Sequence, residues 1–262
     1  MDNRPIGIFD SGVGGLSILQ EVKKLLPKEN FIFVADQKNV PYGGKTKKQL
    51  QNYVDKIMSF FVQQNAKIVI VACNTATVYA IDFMREKYKM PIIGTVPVIK
   101  TLGKISKTKK TAVFSTPATA KSVYLKNLIK KFADGMTVYR VGGTGLEELI
   151  ETGDLKNKKI DKILHQSLEP LLRNHVDAIA LGCTHYPFLT RQIQKIVGKK
   201  VQIVDSGGAV ARRTKAILEN NRIVGNKKGE DFFYTTGNKQ KFAKAIKLLL
   251  KKDFKNIDSI TI

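Results

Sequence analysis

The sequence predicts an α/β fold built from two similar, doubly wound parallel-sheet domains that face each other across a central active-site crevice. Three observations lead there. Short β-rich apolar runs alternate with longer amphipathic segments along the chain. The short runs are continuously apolar, as expected of parallel strands buried on both faces. Two short patterns also recur. Asp10-Ser11-Gly12 follows one strand and Asp205-Ser206-Gly207-Gly208 another, while VIVACNTAT (69–77) and IALGCTHYP (179–187) each close a strand on a cysteine followed within two residues by threonine. Two echoes in matching order imply an internal duplication. A length of 262 residues leaves room for two modest domains. We expect one domain from residues 1–97 with 208–262, carrying Asp10 and Cys73, and a second from residues 98–207, carrying Cys183 and His185.

Taken in order, Ile6–Phe9 reads as a buried strand, Ser17–Leu26 as an amphipathic helix and Phe31–Val34 as a second strand. Helical spacing over Thr46–Asn65 leads to the strand Lys67–Ala72, then a helix over Ala76–Tyr88 and a short strand Ile92–Gly94. The second half repeats the alternation. Strands Thr111–Phe114, Thr137–Val141, Ala178–Leu181 and Val201–Val204 are separated by helices over Ala120–Phe132, Ile160–His175 and Thr190–Val197. The last helix, Asn238–Phe254, sets Phe242, Ile246, Leu249, Leu250 and Phe254 opposite its lysines, a core-facing stripe rather than a membrane-lying one.

Hydrophobic residues make up 43% and charged residues 26%, an ordinary globular balance, and no apolar run approaches the roughly 18 residues of a membrane span. The first apolar residues already read as a strand, so no signal peptide and a cytoplasmic location are expected. Lys+Arg number 45 against 22 Asp+Glu, a net charge of +23. The lysines are scattered (Lys23, Lys24, Lys109, Lys110, Lys227, Lys228) instead of forming a stripe with interleaved aromatics. They read as solvated faces, and neither a nucleic-acid partner nor a membrane is expected.

Chemistry concentrates where strands end, because open α/β sheets bind ligands at the carboxyl ends of their strands. Cys73 and Cys183, the only cysteines, each stand where a buried strand gives way to a polar turn or helix start. Unpaired N–H groups and the helix dipole there favour thiolate and a lowered pKa. Neither belongs to a C-x₂-C pair, and His165, His175 and His185 lack partners at ligand spacing, so no metal is expected. No lysine sits in a recognisable Schiff-base setting, so no cofactor is expected either. Asp10 reads as a carboxylate aimed into the crevice and His185 as the proton partner of Cys183. DSGVGG (10–15) is a weak phosphate cradle without the G-x-G-x-x-G spacing, and PYGGKT (41–46) fails as a P-loop because Asn39 stands where glycine is required.

Together FDSGVGG (9–15), PYGGKT (41–46), ACNTAT (72–77), GCTHYP (182–187) and VDSGG (204–208) make the chain resemble the glutamate racemase family of the aspartate/glutamate racemase superfamily over nearly its whole length. The resemblance implies an isomerase that interconverts L- and D-glutamate without a cofactor, with Cys73 acting on the D enantiomer, Cys183 on the L, and Asp10 and His185 assisting. It implies substrate contacts from Asp10 and Ser11, Tyr42 and Gly43, Asn74 and Thr75, and Thr184 and His185. A G-T-x-A-T loop is matched by STPAT (115–119), which adds Thr116 and Thr119 and has Ser115 in place of glycine. A further catalytic acid follows a C-P-x-x-V-P-L-x-E-like stretch in the family. Here GTGLEELIE (143–151) aligns Glu151, with Glu147 and Glu148 as neighbours. Aspartate racemases tend to carry Glu in place of His185 and lack the DSG opening, so glutamate is the favoured substrate. Supply of D-glutamate for peptidoglycan synthesis, and with it cell-wall biogenesis and cell shape, is implied as well, and a homodimer is expected. The alternatives are a related racemase or decarboxylase acting on aspartate, a hydantoin or a malonate, and a basic nucleic-acid- or topoisomerase-associated protein. The chemistry suits two thiols. An α-proton is very weakly acidic, and without pyridoxal phosphate no electron sink exists, so a base on one face must work with an acid on the other.

Overall fold

Continuous apolar runs become the central strands of two separate parallel sheets. The computed structural model describes residues 1–227 and 229–262; Lys228, one of the scattered lysines, lies outside the described residues. The chain opens with β1 (Ile6–Asp10), α1 (Leu16–Leu25), β2 (Phe31–Ala35), α2 (Lys47–Gln63), β3 (Ile68–Val71), α3 (Asn74–Lys87) and β4 (Ile92–Gly94). It continues through α4 (Ile99–Ile105), β5 (Lys110–Ser115), α5 (Pro117–Lys121), α6 (Val123–Phe132), β6 (Thr137–Gly142), α7 (Leu146–Glu151), α8 (Lys158–Arg173), β7 (Ala178–Gly182), α9 (Thr190–Val197) and β8 (Gln202–Val204). It closes with α10 (Gly207–Asn220), β9 (Phe232–Thr235), α11 (Lys239–Leu250) and β10 (Ile257–Ser259). One sheet has the order β10-β9-β2-β1-β3-β4 and the other β6-β5-β7-β8, and the pairings are parallel. The fold is therefore two parallel-sheet α/β domains with helices on both faces of each sheet.

Alternate residues of one strand serve different cores, because successive side chains leave a strand on opposite faces. In the six-stranded sheet Ile6, Ile8, Phe33, Ile68 and Ile70 join the α1, α10 and α11 side, while Phe9, Val34, Val69 and Val71 join the α2 and α3 side. The first core runs on into the four-stranded sheet through Phe114, Ile179 and Leu181, so the two domains share apolar packing. The opposite face of that sheet buries Val113, Ala178 and Ala180 against α4 and α6.

The duplication holds for the cysteines and fails for the DSG echo. The order β2-β1-β3-β4 superposes in sequence of neighbours on β6-β5-β7-β8, so β3 and β7, the strands that end at Cys73 and Cys183, are counterparts. Asp10 ends β1, whose counterpart β5 ends at Ser115. The second DSG follows β8, the counterpart of edge strand β4. There Asp205 is exposed and accepts a hydrogen bond from the Gly207 N–H (2.7 Å), and Ser206 Oγ donates to the Val96 carbonyl (2.7 Å) where the chain crosses between sheets.

Other departures have local causes. The helix expected over residues 120–132 breaks at Ser122, whose hydroxyl accepts from the Leu125 N–H (3.1 Å) and starts α6 afresh. The last helix stops at Leu250, where Lys251 takes a left-handed conformation (φ 52°), yet Phe254 still packs on Phe233 with ring centroids 4.5 Å apart. Strand β10 (IDS) and helix α7 (LEELIE) are short and rich in polar residues, and α10 opens on two glycines, so these do not stand out in the sequence; β9 (FFYT) is aromatic but only four residues long. Among the described residues no helix is long and apolar enough to cross a membrane.

At the end of the six-stranded sheet away from its cysteine, Lys67 is fully buried and pairs with Glu29 at 2.5 Å. Its ammonium also donates to the carbonyls of Asp2 (2.6 Å) and Ile223 (2.9 Å), and Glu29 accepts from the Gly225 N–H (2.6 Å). Three chain segments are thus tied to the start of β3. Removing one partner of a buried pair strands the other charge. Lys67→Met should therefore cost about 3–5 kcal/mol of stability in urea titration; a loss below about 1 kcal/mol would show that the pair does not hold these segments.

Candidate active site

The carboxyl ends of the central strands of both sheets converge on one cavity. Ser11, Tyr42, Gly43, Asn74 and Thr75 line it with Cys73 from loops and helix starts of the six-stranded sheet, and Thr116, Thr184 and His185 line it with Cys183 from those of the four-stranded sheet. Free space at the centre is about 10 Å³, room for roughly one water. A ligand the size of an amino acid enters only if the walls part.

Each thiol has its own support. Cys73 is the N-cap of α3; its sulfur accepts from the Ala76 N–H (3.5 Å) and lies 3.7 Å from Ser11 Oγ, to which it donates. Cys183 Sγ lies 3.7 Å from His185 Nδ1, and His185 Nε2 lies 2.6 Å from Glu151 Oε1. Glu151 reaches across to the other domain, accepting from the Val13 N–H (2.7 Å) and from Gln37 Nε2 (2.6 Å). Asp10 accepts from the Ser11 N–H (2.8 Å) and from the Thr184 hydroxyl (2.9 Å), a second bridge between the domains. Asn74, which lines the cavity, has its Oδ1 buried without a partner among the described residues.

The glycine-rich DSGVGG loop serves close approach, not a phosphate. A Cβ on Gly12 would fall 1.8 Å from Glu151 Oε1, and one on Gly14 would fall 2.4 Å from His185 Nδ1. In PYGGKT, the Tyr42 hydroxyl donates to Asp36 (2.7 Å), which also accepts from Asn39 and Thr236, while Thr46 caps α2 in a reciprocal pair with Gln49.

The expected residues separate into two layers. Ser11, Tyr42, Gly43, Asn74, Thr75 and Thr116 line the cavity, as do both cysteines, Thr184 and His185. Asp10, Glu151 and Thr119 stand behind that wall; Thr119 holds Thr75 (3.4 Å) and Thr116 (3.1 Å) in place. Sequence reasoning missed Asp36 and Gln37, which follow β2 in a polar stretch with no motif of its own. The neighbouring acids resolve on α7, where Glu147 is buried at the cavity and Glu148 is exposed. Their signal was spacing, since residues 147 and 151, four apart, share one helix face.

Burial raises both thiols, against the lowered pKa expected from sequence; at Cys73 it overrides the N-terminus of α3, while Cys183 caps no helix. The Cys73 thiol is pushed well above its ordinary value by burial and by the Asp10 carboxylate. Burial also raises Cys183, but His185 opposes it. Burial pulls His185 down, yet its contacts with Cys183 and Glu151 outweigh this and hold it well above the usual histidine range. Burial raises Asp10 too. The two sulfurs are therefore unequal, with Cys183 the easier to ionise.

The family model for Asp/Glu/hydantoin racemases matches residues 6–214. The chain belongs to that family. It is 39% identical to a glutamate racemase from Clostridium perfringens over 229 residues, covering 87% of this chain and 88% of the relative. The structure of a glutamate racemase isoform from Bacillus anthracis superposes with a TM-score of 0.89 at 29% identity, covering 100% of this chain and 99% of that one. An Escherichia coli glutamate racemase, solved with L-glutamate and the activator UDP-MurNAc-ala, gives 0.87 at 29% identity over 98% of both chains.

Among the described residues of this racemase, no group of three His, Cys, Asp or Glu side chains is placed to hold a metal ion. His185→Asn removes the cation that offsets burial at Cys183. The thiol should then move higher, and since the active thiolate is lost as pH falls, the acidic limb of the racemisation rate should shift to higher pH. A limb that stays in place, measured by polarimetry across the profile, would contradict the coupling.

Proposed function

We propose that this protein is a glutamate racemase that interconverts L- and D-glutamate with Cys73 and Cys183 as opposed acid and base and no added cofactor, supplying D-glutamate for peptidoglycan. The observation that carries the reading is the presence of two thiols, from counterpart strand ends of two sheets, in the lining of one cavity. The relatives named glutamate racemase and the E. coli structure holding L-glutamate support the substrate.

In the L-to-D direction Cys183, as thiolate beside the His185 cation, takes the α-proton, and the Cys73 thiol delivers its own proton to the opposite face. One C–H bond breaks and one forms, leaving Cys183 as thiol and Cys73 as thiolate. The D-to-L direction runs the same step backwards. Asp10 acts on the Cys73 side, and Glu151 holds His185. Asn74, Thr75 and Thr184, with the N–H groups at the start of α3, receive the substrate carboxylates and the enolate-like charge that develops at the α-carboxylate. Tyr42, Gly43, Ser11 and Thr116 complete the wall. Exclusion of water strengthens each of these contacts. Domains of residues 1–97 with 208–262, and 98–207, a homodimeric assembly and a cytoplasmic location complete the reading.

Circular dichroism of L- or D-glutamate incubated with the EDTA-dialysed protein should show decay toward the racemate from both sides. Cys73→Ala and Cys183→Ala should each reduce the rate by at least about 10³-fold, since inversion needs both partners. Retention of most activity by either variant would refute the pairing.

A further inference from the structure

Among the described residues Glu147 is the one carboxylate lining the cavity. It is only 7% exposed and lines the cavity together with both cysteines. Among the described residues no other residue donates a hydrogen bond to it or pairs with it; only its own backbone N–H approaches. The remaining acids around the site are already engaged. Asp10 takes Ser11 and Thr184, Glu151 takes Val13, Gln37 and His185, and Asp36 takes Tyr42, Asn39 and Thr236. Among the described residues no lysine or arginine lines the cavity, and His185 is held by Glu151 and Cys183. An amino acid entering this space brings one cation, its ammonium group, and meets one unengaged anion.

Resting on the glutamate racemase reading, we propose that Glu147 receives the α-ammonium group of the substrate and so selects substrates that carry an amino group. Local structure explains how the acid reaches the site. Gly145, in the left-handed region (φ 82°), turns the chain into α7, and the helix carries Glu147 and Glu151 on its site-facing side. Burial raises the carboxyl, with Glu148 and Asp10 adding to the rise and His185 opposing it. A bound ammonium relieves that cost by replacing lost water with a charged hydrogen bond.

The test compares two ligands on the full-length protein. D-glutamate is used as the substrate, and 2-hydroxyglutarate, with hydroxyl in place of ammonium, is titrated as the competing ligand. Glu147→Gln keeps the shape of the side chain and removes its charge. It should raise the KM for glutamate about 10- to 100-fold, the worth of a charged hydrogen bond, with a smaller change in kcat. The inhibition constant of 2-hydroxyglutarate should stay within about twofold. If Glu147→Gln does not fold, Glu147→Val serves with the same expectation. A glutamate KM within about twofold of wild type, or equal weakening of both ligands, overturns the proposal. Greater weakening of 2-hydroxyglutarate also overturns it, by placing the carboxyl on a substrate carboxylate. A wild type that fails to racemise glutamate removes the underlying reading and this one together. A wild type that succeeds beside an unchanged variant removes the role of Glu147 alone.

Discussion

The carboxylate of Glu151 joins the two halves of the site. It belongs to α7 beside the four-stranded sheet, yet it accepts from Val13 and Gln37, both on the other domain, while its contact with His185 at 2.6 Å orients the imidazole toward Cys183. Asp10 makes the reciprocal bridge to Thr184, and the Ser17 hydroxyl reaches the Thr184 carbonyl at 2.8 Å. A two-base inversion needs two groups held on opposite sides of one carbon to within a few tenths of an ångström. Cys73 and Cys183 come from different sheets, so that precision rests on polar bridges between domains. Glycine at positions 12 and 14 follows from the same constraint, since any side chain there would occupy the space of Glu151 or His185.

Burial sets the chemistry. It penalises thiolate at both cysteines, and what distinguishes them is the neighbour each has been given, a carboxylate near Cys73 and a cationic imidazole near Cys183. The protein thus holds one sulfur readier to accept a proton and the other readier to give one. A dry site makes each of these neighbours count for more.

Much of this was legible in the residues. Parallel strands such as β1, β2 and β3 are buried from end to end, so their runs of Ile, Val and Phe announce themselves, and cysteines at the ends of two such runs mark the site. What stayed hidden has a common cause. The DSG echo misled because a three-residue likeness carries no information about which strand it follows, and Asp205 lies at an exposed sheet edge. Thiol acidity was misjudged because local position favours thiolate while burial, a property of the whole fold, does not. Strands β9 and β10 are only four and three residues long, too short for an apolar run to announce itself, and they lie at the edge of a sheet whose centre is built elsewhere. Glu147 sits among three acids in six residues, and only the direction of α7 shows which of them meets the cavity.

The two-cysteine account makes its most direct commitment in the origin of the new α-hydrogen. In D₂O, early product formed from either enantiomer should carry solvent deuterium at Cα, while recovered substrate carries almost none, because the thiol that gives a proton is not the thiol that took one. Mass spectrometry of the two separated enantiomers at low conversion reads both. If the recovered substrate exchanges as fast as product appears, a single base is serving both faces and the pairing of Cys73 with Cys183 is wrong.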